Sequence, residues 1–180
     1  VSIVSPRPQT TRTRIHGVLT RPGLQIIFAD LPGIHSKQPR AINRYMNRTA
    51  LASLADADVN LFVIEALRWT EEDERALGEL RQAGRPIVLV INKVDREGSR
   101  PDWVLNEVFD LFDRLGATDE QLDFPVIYAS ALLGKAGHDP LNLEDNMDAL
   151  FQLVVDKVQP PKVNDQGPLQ MQISALDYSS

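Results

Sequence analysis

The chain has 180 residues, of which 43% are hydrophobic and 24% charged, and these values are typical of a folded globular domain. It contains no cysteine, which excludes disulfide bonds, zinc–thiolate sites, iron–sulfur clusters and thiol catalysis. No apolar run approaches the roughly 20 residues that a membrane helix needs, so we expect a cytoplasmic protein without a membrane span.

The formal net charge of -6 is unevenly distributed along the chain. Residues 1–50 contain eight Lys or Arg and the single acid Asp30, whereas the remainder holds eleven basic and twenty-four acidic residues. Arg40, Arg44 and Arg48 recur at a spacing of four residues, which places them on one face of a predicted helix. This basic segment is expected either to contact an anion such as RNA or to be neutralised by the acidic remainder.

Four short apolar runs predict strands that are buried on both faces, as in parallel sheets. They are Leu24–Ala29, Val59–Ala66, Pro86–Ile91 and Phe124–Ala129. Apolar spacing and capping signals predict helices over Pro39–Ala57, from Thr70 to Gly84, over Pro101–Leu115 and over Leu143–Val158. Strands that alternate with helices through short loops predict an α/β fold with a doubly wound, mainly parallel sheet.

Ligands of doubly wound sheets bind at the carboxyl ends of the strands, and the first predicted strand ends in Asp30-Leu31-Pro32-Gly33. The carboxylate of Asp30 could hold a magnesium ion, and Gly33 would let its backbone N–H approach a phosphate. An ordinary Asp-Pro-Gly turn is the alternative interpretation of this segment.

The third and fourth predicted strands are also followed by polar residues. In Asn92-Lys93-Val94-Asp95, the Asp95 carboxylate can accept both donors of a guanine edge, Asn92 can tie neighbouring loops, and the stem of Lys93 can pack along the base. In Ser130-Ala131-Leu132, a backbone N–H could reach the guanine carbonyl oxygen. A polar turn with a solvated lysine is the alternative for the first of these loops.

In this order and at strand ends, D-x-x-G, N-K-x-D and S-A-L match the pattern of GTP-binding domains. The stretch from Val1 to about Gly84, with VSIVSPRPQTTRTRIHGV, DLPGIH, RAINRYMNRTA and ALRWTEEDE, resembles the GTPase domain of the Era family of ribosome assembly. The stretch from about Arg85 to Ser180, with VINKVDREGSRPDWVLNEVFDLFDRLGATDEQLDFPVIYASALLGKAG and GPLQMQISALDYSS, resembles the BipA (TypA) family of ribosome-binding translational GTPases. We interpret the chain as a hybrid of the two, with a seam near PIVLVINKVD.

The resemblance implies that GTP or GDP and magnesium are ligands and that the ribosome or its RNA is a partner. It assigns Thr11 to the switch I contact with magnesium and the γ-phosphate, and Asp30 and Gly33 to the switch II contacts with magnesium and phosphate. It further assigns guanine selection to Asn92, Lys93 and Asp95, and support of the base to Ser130, Ala131 and Leu132. No catalytic residue is assigned, because His35 lies one position late for the BipA histidine and is interpreted as a surface residue of the switch loop.

The phosphate cradle G-x-x-x-x-G-K-S/T does not occur in the sequence. Its nearest match, Gly134-Lys135, has Ala129 in place of the first glycine and Ala136 in place of the hydroxyl residue. We therefore expect residues 1–159 to be a G domain without its first strand, phosphate loop and first helix. The proline pair Pro160-Pro161 breaks the alternation and predicts a linker over residues 160–166. The resemblance makes residues 167–180 the first strand of a following β-barrel domain.

Two functions from different classes follow from these observations. The first is a ribosome-associated GTPase that acts in ribosome assembly or translation. The second is a truncated or engineered hybrid that hydrolyses no nucleotide and serves at most as a binding or scaffold module. Binding of RNA through the basic segment, without nucleotide, is a third possibility.

Overall fold

The computed structural model describes residues 15–31 and 51–158, and within these ranges the strands form two sheets. The first sheet is an antiparallel hairpin of β1 (Ile15–Arg21) and β2 (Leu24–Asp30). The second contains, in spatial order, β3 (Asn60–Glu65), β4 (Ile87–Asn92), β5 (Val126–Ser130) and β6 (Lys135–Gly137). Strands β3, β4 and β5 run parallel, and β6 runs antiparallel to β5. The predicted α/β fold with a mainly parallel sheet is therefore confirmed.

Five helices connect the strands within the described ranges. They are α1 (residues 51–56 of the described part), α2 (Glu71–Ala83), α3 (Pro101–Arg114), α4 (Asp119–Leu122) and α5 (Asp148–Lys157). The short helix α4 was not predicted. The capping box predicted at Thr70 is present, since its side chain accepts from the Asp73 N–H while the Asp73 carboxylate accepts from the Thr70 N–H. Helix α2 ends as predicted at Gly84, whose φ of 64° suits a residue without a side chain.

The central strand β4 separates two apolar cores. Because successive side chains of a strand point to opposite faces, Leu89 and Ile91 belong to one core and Val88 and Val90 to the other. Helices α2 and α3 cover the first core, and α5 covers the second. The apolar run predicted to be buried on both faces is therefore confirmed for β4.

The structure corrects the expectation that the strand beginning at Leu24 is buried on both faces. Side chains of β2 alternate between half-buried and exposed, and Ile27 is 62% exposed. The partner strand β1 was not predicted; it joins β2 through a turn at Pro22 and Gly23, where Gly23 has a φ of 73°. Within the described ranges β2 and β3 belong to different sheets, and the expected burial of β3 on both faces is also wrong, since Val63 is 54% exposed.

The last predicted helix begins later than expected, at Asp148 rather than Leu143. The intervening residues fold back on the short strand β6, because the Glu144 N–H donates to the Ala136 carbonyl and the Ala136 N–H donates to that of Asn146. Among the described residues no helix is long and apolar enough to cross a membrane. The predicted linker and tail strand lie outside the described residues.

Candidate functional site

The side chain of Asn92 links the loops that follow two neighbouring parallel strands. Its Oδ1 accepts a hydrogen bond from the Lys93 N–H at 2.8 Å and another from the Ala131 N–H at 3.0 Å. Asn92 ends β4, and Ala131 follows the last residue of β5. The predicted tie between the two loops is therefore present in the structure.

Lys93 adopts a left-handed backbone conformation, with a φ of 64°. It is the one residue other than glycine with a positive φ in the described part of the chain. Such a conformation is unfavourable for a residue with a side chain and persists where surrounding contacts fix it. Here the Arg96 N–H donates to the Lys93 carbonyl at 3.2 Å, and the Ser99 hydroxyl donates to the Val94 carbonyl at 2.9 Å.

The end of β3 lies beside this loop and is tied to it by backbone and side chain. The Ala66 N–H donates to the Asn92 carbonyl at 2.8 Å, and Glu65 is the register partner of Asn92. The Lys93 ammonium donates to the Glu65 carboxylate at 2.6 Å, and Arg68 contacts the same carboxylate at 3.2 Å. The bond from Lys93, aided by the charge of Arg68, holds the pKa of Glu65 below its ordinary value of 4.5, although partial burial opposes the shift.

Ser130 and its neighbours form a tight turn after β5. Ser130 is fully buried, and its hydroxyl accepts from the Leu133 N–H at 3.3 Å. Leu132 lies at the tip of the turn and is 73% exposed. The N–H groups of Ala131 and Leu133 already donate hydrogen bonds. The Leu132 N–H between them has no acceptor among the described residues.

The loop after β4 also carries Asp95, whose side chain is 20% exposed and lies 3.9 Å from the Arg96 guanidinium. A carboxylate can accept two hydrogen bonds side by side, and a backbone N–H can donate one to a carbonyl oxygen. The edge of guanine offers the complementary set of two donors and one carbonyl. The chemistry of the donor set at these loops therefore fits guanine.

The remaining predicted residues are not gathered with these loops by the described structure. Asp30 ends β2, in the other sheet, and is half-buried. Thr11, Gly33 and His35 lie outside the described residues. Within the described ranges no group of three or more His, Asp or Glu side chains is placed to hold a metal ion.

Glu65 is a residue of this region that the sequence did not single out. Only three of the four predicted strand ends carried recognised motifs, and the strand that ends at Glu65 was the fourth. The signal was available, because every parallel strand delivers its last residue to the same edge of the sheet. A cavity of about 450 Å³ opens beside Glu65, and Arg68, Thr70 and Asp73 also line it.

Comparison with known proteins finds similar chains that share one name. A chain from Haemophilus influenzae named large ribosomal subunit assembly factor BipA is 62% identical over 96 residues, which are 53% of this chain and 15% of that protein. BipA of Buchnera aphidicola is 42% identical over 158 residues, which are 87% of this chain and 24% of that protein. The chain thus spans less than a quarter of the length of these relatives.

Solved structures extend the similarity to the fold. Era in complex with MgGDPNP and nucleotides 1506–1542 of 16S ribosomal RNA is 30% identical, with a TM-score of 0.69, and the match covers 91% of this chain and 50% of that one. A probable GTP-binding protein engB matches at a TM-score of 0.53 and 17% identity over 82% of this chain and 84% of that one, which supports the fold alone. Residues 1–93 match the family model described as 50S ribosome-binding GTPase. The chain therefore belongs to the 50S ribosome-binding GTPase family.

Proposed function

We propose that this chain binds guanine nucleotide at the loops 92–95 and 130–132 and contributes the base-recognition half of a ribosome-associated GTPase. The observation that carries the proposal is the double hydrogen bond of Asn92 Oδ1, at 2.8 and 3.0 Å, to the N–H groups of Lys93 and Ala131. It fixes two loops at adjacent strand ends against each other before any ligand binds. Preorganisation of this kind lowers the entropic cost of binding.

In the proposed complex each loop supplies one part of the recognition. The carboxylate of Asp95 accepts the two donors of the guanine edge, and the N–H of Leu132 donates to the base carbonyl. The aliphatic stem of Lys93 lies along the base plane. Adenine presents an amino group where guanine presents its carbonyl, so the same arrangement rejects adenine nucleotides.

Magnesium and the phosphates are assigned to residues nearer the amino terminus. Asp30 at the end of β2, with Thr11, would hold magnesium, and the Gly33 N–H would approach the γ-phosphate. Magnesium, when bound, neutralises phosphate charge. Support comes from the family, since the similar Era structure is a complex with MgGDPNP. No catalytic side chain is proposed, and His35 remains assigned to the surface of the switch loop.

The ribosome or its RNA is the proposed partner. The family model is described as ribosome-binding, the BipA relatives are named as assembly factors of the large subunit, and the similar Era structure contains 16S ribosomal RNA. The hybrid interpretation, with Era-like sequence before about Gly84 and BipA-like sequence after it, remains part of this proposal. Contacts of the basic residues Arg40, Arg44 and Arg48 with RNA also belong to it.

The guanine assignment is tested by Asp95→Asn. An amide in place of the carboxylate loses the acceptor for one guanine donor and gains a donor that suits the second carbonyl of xanthine. We expect the variant to lose affinity for GDP by about tenfold or more and to gain affinity for xanthosine diphosphate. Asp110→Asn, on the exposed face of α3, is the matched control and should behave like wild type. Unchanged GDP affinity in Asp95→Asn, without any gain for xanthosine diphosphate, would refute the assignment.

A second candidate is a hybrid module that binds or scaffolds other molecules and hydrolyses nothing. These 180 residues contain no G-x-x-x-x-G-K-S/T, the loop whose backbone N–H groups and lysine hold phosphate in GTPases. Stoichiometric GDP binding by material with an intact mass of 20.1 kDa would exclude this candidate. If folded protein binds RNA in a salt-dependent way but no nucleotide, the basic segment is the functional part.

A further inference from the structure

We propose that Glu65 is a positioning residue that holds the side chain of Lys93 ready for the base. The inference rests on the proposed function and extends it to a residue of the neighbouring strand. It is carried by the 2.6 Å hydrogen bond between the Lys93 ammonium and the Glu65 carboxylate, and by the place of both residues at the ends of paired parallel strands.

The backbone brings the two residues together independently of their charges. Glu65 is in register with Asn92, the residue immediately before Lys93. The residue that follows β3 reinforces this register, because the Ala66 N–H donates to the Asn92 carbonyl at 2.8 Å and the Ala66 carbonyl accepts from the Arg100 N–H at 2.7 Å. The backbone of Glu65 is therefore held at a fixed position, from which its carboxylate reaches the lysine.

Lysine benefits from such a partner because its four-carbon stem is flexible. The left-handed backbone of Lys93, with a φ of 64°, sets the position of its Cβ. Its side chain is 41% exposed, so packing alone does not fix the conformation of the stem. Anchoring the ammonium on Glu65 removes most rotamers of the stem. A stem that is already held in one rotamer can pack against the base plane. It then loses less side-chain conformational entropy on binding than a mobile lysine would.

Glu65 also contacts a second cation. Its side chain is 29% exposed, and Arg68 Nε lies 3.2 Å from Oε2 of Glu65, whereas the Lys93 ammonium binds Oε1. Arg68 is 67% exposed and touches Glu65 but is assigned no contact with the base. Arg68→Gln therefore offers a matched control that removes one ion pair of the same carboxylate and leaves the lysine in place.

The first measurement tests the pair in the free protein. The carboxyl carbon of Glu65 is followed by NMR as the pH is lowered, in wild type and in Lys93→Met, which keeps an unbranched apolar stem. We expect the apparent pKa of Glu65 to rise in Lys93→Met and to rise less in Arg68→Gln. If Lys93→Met leaves the titration of Glu65 unchanged, the pair does not exist in solution and the inference is overturned.

The second measurement tests what the pair does, by a double-mutant cycle on GDP affinity. We expect Glu65→Gln to weaken GDP binding about fivefold, Glu65→Asp to restore part of the loss, and Arg68→Gln to bind like wild type. Because Glu65 acts through Lys93, Glu65→Gln should cost nothing further in the Lys93→Met background. Additive losses in the double variant would overturn the positioning role. If wild type binds no GDP but the titration of Glu65 still depends on Lys93, the proposed function is refuted and the Glu65–Lys93 pair is confirmed.

Discussion

At the scale of single residues, two side chains link the loops at neighbouring strand ends. Asn92 Oδ1 accepts hydrogen bonds from two backbone N–H groups, and the Glu65 carboxylate accepts one from the Lys93 ammonium. Neither contact is between residues of one regular element. Each ties a loop to its neighbour, so their removal should affect the site more than the sheet.

Asn92→Ala removes the acceptor of both loop N–H groups. We expect the variant to lose about 1–3 kcal/mol of unfolding free energy, because the N–H groups of Lys93 and Ala131 are left without that partner. Urea denaturation measures the loss. Asn106→Ala is the control, since Asn106 is exposed on α3 and alanine favours helix. A loss in Asn92→Ala no larger than in the control would show that the two bonds contribute nothing.

Glu65 also predicts a pH dependence of stability. Its pKa is lowered in the folded protein, chiefly by the hydrogen bond from Lys93, so the folded state binds this proton less readily than the unfolded chain. The stabilisation is therefore present above the ordinary pKa of 4.5 and is lost as the pH falls through the lower folded value. Wild type should be more stable than Glu65→Gln at pH about 7, and the difference should shrink in an acidic series. A difference that stays constant with pH would contradict this.

At the scale of elements, continuous apolar runs predicted strands β2 to β5, although β2 and β3 are not buried on both faces as expected. Strand β4 is apolar throughout and buried on both faces, so its composition alone indicated a central parallel strand. Strand β1 was missed because Val18, an apolar residue, is 59% exposed, and its apolar pattern therefore does not follow its burial. Strand β6 was missed because three residues are too few to show a period, and because both its antiparallel pairing with β5 and its contacts with residues 142–146 form only in the fold.

The same limits apply to the candidate site. Asn92 and Asp95 were predicted from their spacing, because both lie within one segment of four residues. The partner of Lys93 was not, because Glu65 lies 28 residues earlier and meets it only through the parallel register of β3 and β4. Spacing identifies residues of one loop, whereas pairing between strands decides which loops meet.

Two capping boxes of unequal importance allow a matched test of helix α2. Thr70 caps a helix of 13 residues that buries Leu77 and Leu80, whereas Thr118 caps the four-residue helix α4. We expect Thr70→Ala to lower the unfolding free energy by about 1 kcal/mol. Thr118→Ala should lower it less, because the turn that it caps buries little. Thermal and urea unfolding measure both, and an equal or larger effect at Thr118 would contradict the assignment.

At the scale of the whole molecule, helix α5 connects the two sheets. It packs on the core behind β4 and β5, and it also contacts the hairpin of β1 and β2. Arg21 forms an ion pair with Asp148, and the ring of Phe28 lies 6.0 Å from that of Phe151. The guanidinium of Arg21 also lies over Phe151, at 5.5 Å from the ring centre. Within the described residues the hairpin that carries Asp30 thus packs on the core behind β4 through Ile26 and on α5 through Arg21 and Phe28, which both contact the side chain of Phe151.

Removal of that side chain should loosen the hairpin and spare the main sheet. In Phe151→Ala we expect faster hydrogen exchange of the β1 and β2 amides, with the β4 amides still protected, because β4 pairs on both sides within its own sheet. Gln152→Ala, one residue away and exposed, is the control. Equal acceleration of exchange in β2 and β4 would show that the two sheets unfold as one unit.

Recognition of guanine nucleotide is tested by titration of a fluorescent GDP analogue in buffered magnesium. The analogue is added to purified protein of verified mass and then displaced with unlabelled GDP or ATP. We expect binding in the micromolar range or tighter that GDP reverses and ATP does not. Absence of saturable binding by protein that unfolds cooperatively, or displacement by ATP as readily as by GDP, would show that these loops do not recognise guanine.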